Sequence, residues 1–141
     1  MRIIFQYYFN EIKKEFIPTC DSEFKGDYEP LISYLNDDLG DKREYKEFLK
    51  DILNVLINNG EEDVSSNSWG VDVVGDEVYI FFLYDSDNKQ YQIKLPKIEF
   101  IFIIRRWIDF LNKSIENPNY QEIIDSEDAY KWQSWSVDTP L

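Results

Sequence analysis

The chain has 141 residues, a formal net charge of −13 and no histidine. So acidic a surface repels nucleic-acid phosphates and anionic lipid, which argues against direct binding to DNA, RNA or a membrane. Without an imidazole there can be no Ser-His-Asp or Cys-His catalysis and no histidine metal site.

A hydrophobic content of 43 %, with 17 % aromatic residues, is too rich for an acidic disordered tail. It suits a single domain over residues 1–141 with a core of its own. Residues 2–9 alternate, with Ile3, Phe5, Tyr7 and Phe9 on one face, and this predicts a first strand. Residues 10–26 read as irregular, broken by Pro18 and Gly26. Asp27 is placed to cap a short helix carrying Leu31, Tyr34 and Leu35, with Gly40 past its end. Asp41 is placed to cap a second helix whose stripe is Tyr45, Phe48, Leu49, Ile52, Val55 and Leu56, closed by Asn59-Gly60.

An acidic connection, 61–68, leads to a strand at 69–74. Gly75-Asp76 then gives a two-residue hairpin signal. The next strand, 77–84, is apolar on both faces: Val78, Ile80 and Phe82 on one, Tyr79, Phe81 and Leu83 on the other. Such a strand belongs in the middle of a sheet. A turn at 85–89 precedes an alternating strand at 90–95, with Tyr91, Ile93 and Leu95 inward. Pro96 opens a third helix, about 97–116, bearing Phe100, Ile101, Ile103, Ile104, Trp107, Ile108 and Leu111 and stopped by Pro118. Phe102 falls among Glu99, Arg106, Asp109 and Lys113 on its polar face and marks where the acidic, aromatic segment 119–141 docks. The expected fold is α+β: an antiparallel sheet of at least four strands, made of the first strand and the meander, with about three helices packed on it.

The N-terminus is interrupted by Gln6 and Asn10, and no small-residue cleavage site follows, so it does not read as a signal peptide. The run Phe100 to Ile104 is too short to span a bilayer. The lone Cys20 permits no internal disulfide and suits a reducing compartment. The expected location is cytoplasmic.

Catalytic signals are weak. There is no glycine-rich phosphate loop, and Ser65-Ser66 has no activating base nearby in sequence. Asp85-Ser86-Asp87-Asn88 resembles the opening of a calcium loop, but Gln90 and Pro96 stand where that loop needs glycine and glutamate. It reads as a solvated turn. No cofactor and no metal are expected. A carboxylate-pair hydrolase is the alternative from the enzyme class.

Trp69 before a strand, the hairpin Gly75-Asp76-Glu77-Val78-Tyr79-Ile80, a strand ending in Leu95-Pro96, and a helix with Glu99-Phe100 and Trp107-x-x-Phe110-Leu111 together resemble small immunity proteins of bacterial polymorphic and contact-dependent toxin systems. The resemblance covers residues 69–111. It implies an acidic α+β protein that binds and blocks a cognate toxin, often a basic nuclease. A phage or plasmid DNA mimic would use the same charge. In either case the partner is a basic protein. The residues expected to meet it are Glu61, Glu62 and Asp63 in the connection, Asp85 and Asp87 in the turn, and Glu122, Asp125, Glu127, Asp128, Tyr130, Trp132 and Trp135 in the tail. The first two groups are expected side by side at one end of the meander.

Overall fold

The N-terminal alternation produces strand β1 (Arg2–Asn10) in the computed structural model, which describes residues 1–37 and 42–131. Strand β2 (Glu15–Ser22) follows and pairs with β1 along its whole length, Phe5 opposite Cys20 and Tyr7 opposite Pro18. This strand corrects the irregular reading of 10–26. Proline is compatible with it because β2 is the edge of its sheet, where a missing N–H removes no ladder bond. Asn10 shapes the turn between them, its side-chain oxygen accepting from the amides of Ile12 and Lys13.

Helix α1 (Glu29–Asn36) buries Leu31, Tyr34 and Leu35 as expected. Its cap is not Asp27 but Tyr28, at φ 55°, with Pro30 in the first turn. Asn36 clips the helix to β2 by accepting from the Cys20 amide at 2.9 Å and donating to the Cys20 carbonyl at 2.8 Å. Helix α2 (Lys42–Ile57) buries Tyr45, Leu49, Ile52 and Leu56. The expected Asp41 cap and Gly40 stop lie outside the described residues.

Strands β3 (Trp69–Val74), β4 (Glu77–Phe82) and β5 (Gln92–Pro96) form an antiparallel meander with β4 in the middle. Helix α3 (Lys97–Leu111) ends well before Pro118 because the apolar sequence ends at Leu111. A short strand, β6 (Glu122–Asp125), then adds to the free side of β1, and a 3-10 turn over Ser126–Lys131 packs on α3.

The fold is therefore α+β, but with two three-stranded antiparallel sheets, β2-β1-β6 and β3-β4-β5, rather than one sheet joining β1 to the meander. Helix α3 is the reason. Phe100 to Ile104 are buried in unbroken succession, which marks a helix covered on all sides. It meets β1 through Phe5, Trp107 and Phe110, with Phe5 and Trp107 ring centroids 4.9 Å apart. It also packs on α2, β4, β5 and the 3-10 turn. Phe102 is only 2 % exposed. On the same helix face, Glu99 accepts from the Tyr130 hydroxyl at 2.7 Å and Arg106 meets Glu122 at 3.1 Å. Among the described residues no helix is long and apolar enough to cross a membrane.

Cys20 is fully buried, and burial raises its thiol well above the usual range, with Asp21 adding to the effect. A raised thiol holds little of the reactive thiolate near pH 8. A thiol reagent should therefore label the native protein at least about 100-fold more slowly than the urea-unfolded chain. Comparable rates would show that the β2–α1 contact opens freely.

Candidate functional site

The two faces of the meander differ. Trp69, Val71, Val78, Ile80 and Leu95 turn inward and are buried. The opposite face carries Gly70, Asp72 and Val74 from β3, Tyr79 and Phe81 from β4, and Gln92 and Lys94 from β5. Leu83 extends it, because its amide continues the ladder onto the Ser68 carbonyl at 2.9 Å. Val74 is 62 % exposed, Tyr79 40 % and Leu83 42 %. The apolar residues on both faces of β4 do mark a central strand, but the second face is open to solvent.

Two depressions shape this face. One, of about 680 Å³, lies over Tyr79 and is bordered by Asp72, Asp87, Lys89 and Lys94. The other, of about 880 Å³, is a groove along the outer edge of β3, walled by Glu61, Glu62 and Asp63 and floored by Val55, Leu56 and Val71. Both are lined by Asp72 and Phe81, so they adjoin. The surface has an apolar floor and a charged, mostly acidic rim.

Gly70 makes this floor possible. A Cβ there would stand 2.4 Å from Phe81 Cε2 and Cζ and 3.0 Å from Leu83 Cδ2. Phe81 covers the strand where a side chain would otherwise stand. Gly70→Ala should displace the Phe81 ring and destabilise the protein by about 1–3 kcal/mol, read as a lower denaturant midpoint with an altered aromatic circular dichroism. An unchanged midpoint would mean that Phe81 moves freely.

The connection before β3 is held along the strand rather than beyond its end. The Ser65 hydroxyl accepts from the Val71 amide at 2.9 Å, and the Ser66 amide donates to the Trp69 carbonyl at 2.9 Å. Asp37, at the end of α1, fixes the segment by accepting from the Ser66 hydroxyl at 2.5 Å and the Ser68 amide at 3.0 Å. Ser68 therefore does neighbour the start of the turn at Leu83, but Asn59, two residues before Glu61, is bonded by the Lys97 side chain at 2.6 Å, and the Lys97 amide donates to the Asp76 carbonyl at 2.8 Å at the opposite end of the hairpin. The expected single patch of 61–63 beside 85–87 is corrected accordingly: the two segments border different flanks of one face, with Asp72 between them. An extended segment covers roughly 3.3 Å per residue, which is why a few residues move the carboxylates to the other end.

Glu61, Glu62 and Asp63 are exposed. Asp63 accepts from the side chain and backbone of Ser65, and these bonds hold its carboxyl below the usual range. Asp85 is tied into its turn by Asn88 at 3.0 Å, while Asp87 faces the depression over Tyr79. The tail acids lie elsewhere. Glu122 is bound by Arg106 at 3.1 Å, by Lys113 at 3.9 Å and by the Tyr120 hydroxyl at 2.9 Å, so its charge serves to seat β6. Asp125 accepts from the Glu127 amide, Asp128 pairs with Lys131 at 3.0 Å, Glu127 is exposed, and Tyr130 is turned to Glu99. Trp132 and Trp135 lie outside the described residues. Among the described residues no group of three or more acidic or cysteine side chains converges to hold a metal.

The sequence reading missed Asp72, Tyr79, Phe81 and Leu83 as surface residues. A signal was present. The positions beside Tyr79 and Phe81 on the same face include Asp72, Gln92 and Lys94, none of which suits a buried layer.

The chain is 33 % identical over 131 residues to "Uncharacterized protein PM0491" of Pasteurella multocida (strain Pm70), covering 92 % of this chain and all of that protein. To "UPF0275 protein PM0489" of the same strain it is 35 % identical over 129 residues, covering 81 % of this chain and 89 % of the other. A shorter match, 47 % over 36 residues, covers 26 % of this chain and 25 % of "UPF0275 protein PM0505" from that strain. No solved structure matches. The profile described as "Family of unknown function (DUF5376)" matches residues 1–130, and the chain belongs to that family.

Proposed function

We propose that this protein is a non-catalytic, cytoplasmic inhibitor of a basic protein, most concretely an immunity protein that neutralises a bacterial toxin domain by occluding it. The observation that carries the reading is the open face of the meander. Val74, Tyr79, Phe81 and Leu83 form an apolar centre, and Glu61, Glu62, Asp63, Asp72 and Asp87 border it. An apolar centre with a polar border is the anatomy of a protein interface, and exposed apolar patches of this kind on a small protein mark such sites. The net charge of −13 selects the sign of the partner. Against a nuclease, these carboxylates would stand where substrate phosphates bind. The presence of several relatives in one strain suits a set of inhibitors that each match a different partner.

The test uses the gene neighbourhood. The C-terminal domain of a large secreted protein encoded next to this gene should form an equimolar complex with the purified chain, and co-expression should rescue growth. Absence of a complex at micromolar concentrations, together with no rescue, would end the reading.

A further inference from the structure

The groove beside β3 exposes main chain as well as side chains. Val74 and Glu77 are the pair flanking the two-residue Gly75-Asp76 turn, so their backbone groups face each other. Hydrogen-bonding direction alternates along a strand. The Val71 amide points away from β4, onto Ser65, and Val73, two residues on, points the same way. The first part of this edge is sealed: Trp69 is bonded by Ser66 and Val71 by Ser65. Upstream of Ser65 the connection swings outward to form the wall of Glu61, Glu62 and Asp63. Among the described residues no group takes the Val73 amide, and Val73 is 39 % exposed.

We propose that the open part of the β3 edge is a strand-addition site. It takes an extended segment of the partner, whose main chain bonds Val73 and whose alternate side chains face the acidic wall on one side and Val55, Leu56 and Val71 on the other. The proposal rests on the reading that the partner is a basic protein. Charge selects this occupant. Glu61, Glu62, Asp63 and Asp72 line the groove against Lys97 alone, and Lys97 also donates to Asn59 at 2.6 Å. A second copy of the chain would bring the same carboxylates face to face. An added strand gains affinity from main-chain bonds and specificity from every second side chain.

The test titrates the full-length, isotope-labelled protein with a capped Lys-Val-Lys-Val-Lys-Val peptide and with two versions N-methylated on alternate residues, one along each edge. The unmodified peptide should shift the Val73 amide resonance and slow its hydrogen exchange. One methylated version should bind roughly tenfold more weakly, because it lacks the bonds to β3, and the other should bind like the parent. Glu61→Lys with Glu62→Lys should weaken the unmodified peptide while leaving the fold intact. Equal binding of both methylated versions would reduce the effect to charge and overturn the proposal. So would a Val73 amide that does not respond, or a dimer joined at this edge. Those failures leave the inhibitor reading standing, since a partner could still dock over Tyr79 and Phe81. Peptide binding at Val73 with neither a complex with the neighbouring gene's domain nor growth rescue would instead overturn the inhibitor reading and keep the edge site.

Discussion

Trp107→Ala should cost about 3–5 kcal/mol, the range for a buried tryptophan truncated in a packed core. The side chain is fully buried where sheet β2-β1-β6, α1 and α3 meet. Its ring lies 4.9 Å from Phe5 of β1 and 5.9 Å from Phe110, and its Nε1 donates to the Leu35 carbonyl of α1 at 3.2 Å. That carbonyl also accepts from the Tyr45 hydroxyl, so truncation does not leave it unpaired. The loss is mainly cavity and ring contact. Domains of this size are stable by about 5–15 kcal/mol, so one such change removes a large share, and the thermal midpoint should fall by roughly 10 °C or more. Trp107→Phe keeps the ring stack, leaves a smaller void and should lose about half as much. A midpoint for the alanine variant within about 2 °C of the parent would show that Trp107 is not the junction of the core.

That junction was partly legible in the sequence. Trp107 and Phe110 stood out by helical spacing, and Phe5 by strand alternation. Their meeting did not, because periodicity reports which face is apolar and not which element covers it. The same limit explains the sheets. Alternation placed β1, β3, β4 and β5 within a few residues, but nothing in it says that β1 pairs with β2 and β6 while the meander stands apart. Strand β2 was hidden by Pro18, which an edge tolerates, and β6 by its brevity at four residues. Helix α3 is the instructive case. Phe102 looks misplaced on a polar face, yet that face holds Glu99 and Arg106 because it lies under the tail, where Tyr130 bonds the first and Glu122 the second.

The candidate site was less legible. Two of its flanks were anticipated from charge and loop position, and they do border one surface. Their supposed adjacency failed because the connection runs along β3, held by Ser65, Ser66 and Asp37. The floor is hidden because Tyr79, Phe81 and Leu83 read along one strand look like a buried face, and the polar residues that open it, Asp72, Gln92 and Lys94, lie on the strands to either side. Glu122 shows the opposite error. An acidic residue in an acidic run looked available, but a nearby arginine and lysine claim it.

Replacing Glu61, Glu62, Asp72 and Asp87 together with lysine should slow association with a basic partner by roughly 10- to 100-fold at low salt. All four side chains are exposed, so the fold should survive, and each substitution should change stability by no more than about 0.5 kcal/mol. The four are chosen because they border the open face, whereas Asp85 is tied to its turn and Glu122 seats β6. The effect should sit in the on-rate. Charges at an interface border steer the encounter, and steering weakens once the screening length falls below the separation of the charges, from about 10 Å at 0.1 M salt to about 3 Å at 1 M. The gap between parent and variant should therefore narrow sharply in high salt. Tyr79→Ala, at the apolar floor, should do the reverse, accelerating dissociation at every salt concentration while leaving association nearly unchanged. Together the two variants separate steering from holding. Should the lysine variant associate as fast as the parent at low salt, the acidic border would serve solubility alone, and the open face would lose its claim to be the interface.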